Sequence, residues 1–455
     1  METIEPYQSP VADLPFTTQL GESERETTHI AVIGMGYVGL PLSLQFARSG
    51  LHVLGLDIDP AKVDSLNHGR SYIKHIEASA IAAMTKVARL SASTDFARIR
   101  EVEAVIICVP TPLNKNREPD ISYIMKTGLS IAPHLQRGAL VVLESTTYPG
   151  TTDEDLRDVL EAGSGMKAGV DFHLAFSPER EDPGNADSKV GTSPKVIGGY
   201  TPACLERAMA VYGRAVRRLV PVSSCRVAEA TKLLENIFRS VNIALVNELK
   251  LVYGAMGIDV WEVIQAARTK PFGFMPFYPG PGLGGHCIPI DPFYLTWKAR
   301  EYSQNTRFIE LAGEINSAMP AHVINRTAEA LNARRKAVNG SSVLVLGLAY
   351  KPNVDDERES PSYVLMTLLK ERGAAAAYFD PLVPVIRPTR EHSHWAGTNS
   401  VSWDRRTVES FDAVIIATNH EAVNYHELAD WSPCIVDTRN AMAGINTKPG
   451  QVWKA

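Results

Sequence analysis

Strong net charge, long apolar runs and paired cysteines are all missing from this sequence of 455 residues. The formal net charge is −5 without a long run of one sign, so a basic surface for nucleic acid is not expected. No stretch of about 18 apolar residues occurs, so no membrane span is predicted. Residues 1–28 are polar and lack the apolar core of a secretory signal, and we interpret them as a flexible N-terminal arm.

Cysteine is scarce and scattered. The chain contains Cys108, Cys204, Cys225, Cys287 and Cys434, and none of them forms a CxxC pair. A disulfide framework or zinc site is therefore not expected, no metal is predicted, and the reducing cytoplasm is the natural compartment. A hydrophobic content of 45% is ordinary for a globular enzyme, and the length predicts about three domains.

A glycine-rich segment follows the first apolar run. HIAVI at 29–33 is typical of a buried strand, GMGYVG follows at 34–39, and a second apolar run ends in Asp57. Strand, Gly-x-Gly-x-x-Gly, helix, strand and acid in this order predict a dinucleotide site. Asp57 would bind the adenosine ribose and favour NAD over NADP, a preference that nearby Lys62 would partly offset.

Each glycine of this segment has its own expected role. Gly34 permits the tight turn, Gly36 lets a pyrophosphate approach the backbone, and Gly39 lets the helix pack on the strand. The N-terminus of that helix offers free N–H groups to the phosphates.

Three further apolar runs end in polar residues, at 103–112, 139–150 and 173–180. Ligands bind at the carboxyl edge of open α/β sheets, so Thr111, Thr147 and Glu179 are candidate site residues. Turn and capping chemistry explains the same residues equally well.

A stretch of roughly 30 residues from Ser224 lacks proline and has apolar residues at helical spacing, which predicts a helix joining two domains. Lys232, Asn236, Arg239 and Asn247 fall near one side of it. Such a stripe is commonly a solvated face, but the apolar composition around it favours buried, partnered groups.

Strand–helix alternation resumes beyond residue 330. Apolar runs that predict parallel strands lie at 341–353, 375–381, 411–419 and 434–440. Gly347 supplies a turn, but GxGxxG is absent, so we predict a second nucleotide-binding-like half with Lys351 and Arg439 as phosphate or ribose contacts. The predicted fold class is α/β, with two Rossmann-like doubly wound domains joined by a long central helix and a cleft between them.

Residues 279–292, PGPGLGGHCIPIDP, follow the predicted helix and could line that cleft. Gly284 and its neighbour would allow close approach of a ligand. A thiolate at Cys287 is stabilised if it lies near a helix start, and Asp291 could orient a water or hold a cation. His286 is a weaker candidate base. An inert cysteine is the default in a generic loop, but not in an NAD enzyme with a second nucleotide site.

A cysteine in such a site permits two successive oxidations of a primary alcohol. Thiolate addition to the aldehyde formed first gives a thiohemiacetal, which loses a second hydride to become a thioester that water hydrolyses. The oxyanions need a cation or donor, such as Lys232 and Asn236, and the first step needs a base.

A series of short motifs runs along the chain: GMGYVGLP, TPL at 111–113, STTYPG, SPER, TKLLEN at 231–236, GGHC with Asp291, and GLAYKP with RESPS. In these motifs and their order the sequence resembles the nucleotide-sugar 6-dehydrogenases of the UDP-glucose/GDP-mannose dehydrogenase family. The resemblance implies oxidation of a UDP-sugar C6 alcohol to a carboxylate with two NAD, and a homodimer or higher homo-oligomer. It also implies an NAD-binding domain, a central dimerising region and a UDP-sugar-binding domain, which we place at 29–222, 223–330 and 331–455.

The resemblance also implies residue roles. The predicted catalytic residues are Cys287 as nucleophile, Lys232 and Asn236 as oxyanion partners, Asp291 as a partner of Lys232 and water, and Glu179 with Thr147 as positioners of water, Glu179 being the preferred base. The predicted cofactor contacts are Gly34, Gly36, Tyr37, Val38, Gly39, Asp57, Lys62, Pro110, Thr111, Thr147 and Arg358. The predicted substrate contacts are Glu179, Arg180, Lys232, Asn236, Tyr278, Gly284, Lys351 and Arg439.

The stretch 269–302 is most similar to the branch of UDP-N-acetylglucosamine 6-dehydrogenases, and polysaccharide or O-antigen precursor supply is the pathway that the resemblance suggests. UDP-N-acetylmannosamine, UDP-N-acetylgalactosamine and UDP-glucose stay open as substrates, since epimers differ in the direction of one group. A two-electron dehydrogenase that uses Lys232 alone is a second hypothesis. A silent NAD- and UDP-binding regulator is a third, and the intact set of Lys232, Asn236, Cys287 and Asp291 speaks against it.

Overall fold

The computed structural model describes residues 28–74, 76–114, 116–180, 193–285, 288–388 and 392–455. It divides into two compact units, one ending at Leu234 and the other beginning at Glu235. Most of the predicted N-terminal arm, and the predicted site residues His286 and Cys287, lie outside the described residues.

The described part of the first unit is built on one eight-stranded sheet. Its strands are β1 (His29–Ile33), β2 (His52–Leu56), β3 (Leu90–Ser93), β4 (Ala104–Ile107), β5 (Leu140–Leu143), β6 (His173–Phe176), β7 (Lys195–Gly199) and β8 (Leu219–Val222). The order is β3-β2-β1-β4-β5-β6-β7-β8, the doubly wound arrangement in which the order of successive strands in the sheet reverses beside β1. All neighbouring strands are parallel except β6 and β7, which are antiparallel.

Helices cover both faces of this sheet. They are α1 (Gly39–Arg48), α2 (Pro60–Asn67), α3 (Ala78–Lys86), α4 (Ser122–Ile131), α5 (Arg157–Ser164) and α6 (Pro202–Tyr212). Alternate residues of β1 enter different cores: Ile30 and Val32 pack in one apolar cluster, and Ala31 and Ile33 pack in the other. Successive side chains of a strand point to opposite faces, which is why the strands read as continuous apolar runs.

The predicted long helix is present. The helix α7 (Cys225–Ala255) has 31 residues, begins in the first unit and continues into the second. Three further helices follow, α8 (Val260–Ala267), α9 (Asp291–Ala299) and α10 (Arg307–Asn332). Among the described residues, no helix has both the length and the apolar character needed to cross a bilayer.

The described part of the second unit ends in a five-stranded sheet whose neighbouring strands are all parallel. Its strands are β9 (Ser342–Leu346), β10 (Ala375–Phe379), β11 (Ala413–Ile416), β12 (Ile435–Asp437) and β13 (Val452–Lys454), and its helices are α11 (Pro361–Glu371), α12 (Arg405–Glu409) and α13 (Tyr425–Trp431). The order β10-β9-β11-β12-β13 is the other common doubly wound arrangement. The predicted α/β class with two doubly wound domains is therefore confirmed.

Candidate active site

The glycine turn after β1 has the geometry that its sequence predicts. Gly34 has φ +90, and a Cβ at this position would lie 2.5 Å from the carbonyl oxygen of Cys108. A Cβ at Gly39 would lie 2.0 Å from the carbonyl oxygen of Gly34, whereas a Cβ at Gly36 would meet nothing within 4 Å. Two of the glycines are thus required by the packing of this chain, and the third borders open space at the start of α1.

Asp57 is held firmly beside this turn. Its carboxylate accepts hydrogen bonds from the backbone N–H of Met35 at 2.9 Å and of Asp59 at 3.0 Å. The ammonium of Lys62 lies 3.2 Å from the same carboxylate, which is only 6% exposed. Tyr37, half-buried, lies within the turn. This arrangement is suited to binding a pyrophosphate at the turn and a ribose at the Asp57 carboxylate.

The other predicted cofactor contacts of the first unit differ in their exposure. Val38 is the N-cap of α1, Pro110 is exposed, and Thr111 is buried. The hydroxyl of Thr147 is fully buried and lies 2.6 Å from the hydroxyl of Thr151. Contacts of these residues with a cofactor or a water stay predictions.

Glu179 belongs to a buried charge cluster at the carboxyl edge of the sheet. The ammonium of Lys195 lies 3.2 Å from Glu179 Oε2 and 3.0 Å from Glu144 Oε2. Glu144 also accepts a hydrogen bond from the hydroxyl of Tyr212. Arg180 donates its backbone N–H to Glu179 Oε1 at 2.7 Å. The sequence analysis predicted Glu179 and Arg180 as site residues but did not identify Lys195, Glu144 and Tyr212. In the sequence, each of these three is merely a charged or hydroxyl-bearing residue beside an apolar run.

Burial governs the protonation of this cluster. Loss of solvent raises the pKa of Glu144 to about 7, against the lowering effect of Lys195. Desolvation opposes the positive charge of Lys195, but the two carboxylates outweigh it and raise the pKa of Lys195 above its ordinary value. The ammonium is therefore charged at neutral pH, and Glu144 titrates near neutrality.

In the second unit, Asn236 and Asp291 form a buried pair. The amide nitrogen of Asn236 donates to Asp291 Oδ2 at 2.6 Å, and Asp291 is fully buried at the first position of α9. Asn236 is thus buried and partnered as predicted, whereas Arg239 on the same predicted stripe is exposed. Lys232, one helical turn before Asn236, is half-buried.

Two glycines of the loop 279–292 pack closely against other segments of the second unit. A Cβ at Gly284 would lie 2.6 Å from the Cβ of Tyr350 and 3.0 Å from the carbonyl oxygen of Glu359. The backbone N–H of Gly285 donates to the carbonyl oxygen of Arg358 at 3.0 Å. Tyr350 and the chain around Glu359 therefore occupy the space that a side chain at these positions would need, and the contact of Gly284 with a substrate stays a prediction.

The turn after β9 resembles the turn after β1, but its backbone N–H groups bond to a side chain of the protein. Gly347 also has φ +90, and the N–H groups of Leu348 and Ala349 both donate to Asp380 at 2.7 and 2.8 Å. His420 Nε2 lies 3.1 Å from the same carboxylate. These backbone donors are occupied by the protein, in agreement with the absence of a second GxGxxG.

The remaining predicted contacts of the second unit occupy separate environments. Lys351 is half-buried, and the guanidinium of Arg358 forms a paired hydrogen bond with Asp356 at 2.8 and 2.6 Å. Desolvation lowers the pKa of Arg439 to about 10, and its Nε donates to the carbonyl oxygen of Ala417 at 2.8 Å. The ring of Tyr278 stacks on the ring of Trp261, with centroids 5.6 Å apart.

Three family models match consecutive parts of the chain. The UDP-glucose/GDP-mannose dehydrogenase family NAD binding domain matches residues 28–216, the central domain 226–318, and the UDP binding domain 344–444. The chain belongs to this family. It is an NAD-dependent nucleotide-sugar 6-dehydrogenase with an N-terminal NAD domain, a central helical region and a C-terminal UDP domain.

Individual relatives of this dehydrogenase carry several substrate names. It is 36% identical over 392 residues to the UDP-N-acetyl-D-glucosamine 6-dehydrogenase of Pseudomonas aeruginosa, covering 86% of this chain and 90% of the relative. It is 37% identical to the NDP-N-acetyl-D-galactosaminuronic acid dehydrogenase of Ralstonia nicotianae, covering 78% and 84%. The solved structure of the UDP-D-ManNAc dehydrogenase of Pyrococcus horikoshii superposes with a TM-score of 0.83 at 33% identity, covering 93% of this chain and 99% of the other.

Proposed function

We propose that this dehydrogenase oxidises C6 of a UDP-2-acetamido sugar through both oxidation steps, with UDP-N-acetylglucosamine as the preferred substrate. The observation that supports it most is the buried bond between Asn236 and Asp291, because it ties the amide of the TKLLEN motif to the helix that follows GGHC. The relatives described above all carry N-acetylated sugars in their names, which supports this substrate class. UDP-N-acetylmannosamine and UDP-N-acetylgalactosamine are the competing substrates.

The first unit fits NAD on two observations. The space at Gly36 is open at the N-terminus of α1, where backbone N–H groups and the helix dipole favour a pyrophosphate. The carboxylate of Asp57 is fixed beside the turn, where it would accept hydrogen bonds from ribose hydroxyls. NAD bound there supplies the hydride acceptor for both oxidations.

The residues of the chain would then handle the protons and the charge at C6. Lys232 and Asn236 stabilise the oxyanions that form at C6. The sulfur of Cys287 adds to the C6 aldehyde, and the resulting thiohemiacetal becomes a thioester when hydride leaves C6. Glu179 takes a proton from the water that attacks the thioester carbon, and the C–S bond breaks to release the carboxylate and the Cys287 thiol.

The test counts NADH per sugar for UDP-GlcNAc, UDP-ManNAc, UDP-GalNAc and UDP-Glc. We expect two NADH per acid, the highest kcat/KM for UDP-GlcNAc, and almost complete loss of turnover in Cys287→Ser. Cys434→Ala, at a buried cysteine beside β12, is the matched control and should keep its activity. Full turnover in Cys287→Ala would overturn the covalent route, and one NADH per sugar would favour the two-electron alternative.

We also propose that the protein works as a homodimer joined through α7. Phe238, Leu245 and Val252 are 47%, 50% and 48% exposed, and a spacing of seven residues places them on one face of the helix. An apolar stripe of this kind on a helix is suited to a second copy of the same chain. Analytical ultracentrifugation should give a dimer or larger assembly that Leu245→Asp weakens, while a monomeric wild type would refute the proposal.

A further inference from the structure

Lys195 is a buried cation that none of the roles above uses. Its ammonium lies 3.0 Å from Glu144 Oε2, 3.2 Å from Glu179 Oε2 and 3.4 Å from the carbonyl oxygen of Pro178. All three ammonium N–H bonds therefore have an acceptor. Because the residue is only 4% exposed, its charge acts on these neighbours with little screening by solvent.

The direction of β7 explains why this cation lies at the ligand edge of the sheet. Phe176 of β6 pairs with Gly198 of β7 in the antiparallel sense, so the chain leaving β6 runs beside the chain entering β7. Continuing this register by three residues brings Glu179 opposite Lys195. Had β7 been parallel to β6, its first residue would lie at the opposite edge of the sheet.

We propose that Lys195 is a positioning residue, which holds the Glu179 carboxylate in place to take the proton of the hydrolytic water, and that Glu144 limits this hold by sharing the same ammonium. The inference rests on the proposed function, in which Glu179 is the base that releases the acid. Lys195 itself touches neither substrate nor cofactor in this proposal.

The groups around Lys195 determine how basic the Glu179 carboxylate is. Tyr212 donates a hydrogen bond to Glu144, and its ring lies 5.5 Å from the Lys195 ammonium. Burial raises the pKa of Cys108, with Glu144 as the second cause; its thiol therefore stays neutral. Burial raises the pKa of Glu144 to about 7, so once Glu144 is ionised, two carboxylates share one cation and the cluster carries a net negative charge. Glu179 therefore keeps more basicity than it would in an exclusive pair with Lys195, because an unshared cation stabilises the ionised form more strongly.

The first test follows the thioester by intact-protein mass spectrometry during turnover of UDP-GlcNAc and NAD. Lys195→Met should lower kcat roughly 100-fold, as expected for a misplaced reacting group, and the acyl adduct on the protein should accumulate. The acidic limb of the pH–rate profile should shift to higher pH in Lys195→Met and to lower pH in Glu144→Gln. Lys195→Arg keeps the charge and should recover most of the rate.

A double-mutant cycle separates positioning from mere structural support. If Lys195 acts through Glu179, Lys195→Met should cost less than about twofold when Glu179 is already glutamine. Additive losses would overturn the inference while leaving the role of Glu179 standing. Full turnover in Glu179→Gln would instead show that the proposed role of Glu179 is wrong, and the inference would fall with it.

Two further variants guard against trivial outcomes. Lys167→Met removes an exposed lysine paired with Glu161 and should leave the kinetics unchanged. Should Lys195→Met fail to fold, Glu144→Gln decides the question, because an acidic limb that stays in place would refute the sharing of Lys195.

Discussion

Alanine at Gly36 is expected to weaken NAD binding without harming the fold. A Cβ at this position meets nothing within 4 Å, and the residue does not have a left-handed backbone. The neighbouring glycines behave differently, because a Cβ at Gly39 would lie 2.0 Å from a carbonyl oxygen and Gly34 has φ +90. Gly36 is therefore the position of the turn where cofactor binding and folding can be separated.

The size of the effect follows from what the methyl group displaces. At the N-terminus of α1 it would occupy the space through which the pyrophosphate approaches the backbone N–H groups. One charge-assisted hydrogen bond contributes about 1.5–3 kcal/mol, so its loss raises the Kd for NAD roughly 10- to 100-fold. Alanine also restricts the unfolded chain, which stabilises the fold by about 0.4–1 kcal/mol where the backbone accepts it.

Calorimetric titration with NAD and thermal unfolding without NAD test the two halves of this prediction. Gly36→Ala should bind weakly and unfold at or slightly above the wild-type temperature. Gly254→Ala has equally open surroundings on α7 and should leave NAD affinity unchanged, with an unfolding temperature at or slightly above that of the wild type. Gly39→Ala should lower both affinity and stability. Wild-type affinity in Gly36→Ala, or a fall of several degrees in its unfolding temperature, would refute the reasoning.

Three further changes have defined outcomes. Asn236→Ala leaves the buried carboxylate of Asp291 without its amide donor and should cost about 1–3 kcal/mol in urea unfolding, with a fall in kcat. Lys62→Ala removes the cation 3.2 Å from Asp57 and should raise the ratio of kcat/KM for NAD over NADP by about fivefold, as for a pair worth ~1 kcal/mol. Burial, and then the charges of nearby cations, lower the pKa of His322 to about 4, so the unfolded state alone binds its proton between pH 6.5 and 4. Stability is therefore lost as pH falls through this window, and His322→Gln should flatten the dependence of the unfolding temperature on pH.

Asn236→Ala and His322→Gln each have a matched control. Asn242→Ala removes an amide that bonds only within α7 and should be nearly silent. His426→Gln replaces an exposed histidine and should leave the acid dependence of stability as it is. A cofactor ratio that stays level in Lys62→Ala, or equal pH curves for His322→Gln and the wild type, would contradict the electrostatic account.

Local patterns predicted much of the fold. The apolar runs became β1, β2, β4, β5 and β6 and four strands of the second sheet, and the proline-free stretch became α7. Burial on both faces leaves a direct trace in the composition of a parallel strand. The strands β3, β7, β8 and β13 were not predicted, because three to five residues that include serine, glycine, proline or lysine carry little periodic signal.

Within the site, the reliable predictions were those that depend on neighbours in sequence. The glycine turn and Asp57 are set by backbone sterics and by one βαβ unit, so their spacing alone identified them. The sequence could not show that a Cβ at Gly284 would meet Tyr350, because the two residues are 66 positions apart by their residue numbers.

The sequence by itself determined the fold class, the dinucleotide turn and the family, since these follow from local periodicity and from short ordered motifs. Only the tertiary structure decided which charges meet. The reversal of β7 brings Lys195 to Glu144 and Glu179, and the packing of α9 brings Asp291 to Asn236. Such pairs form across 16 to 55 positions of chain, and no local pattern records them because they arise from strand direction and packing rather than from the conformation of any one segment.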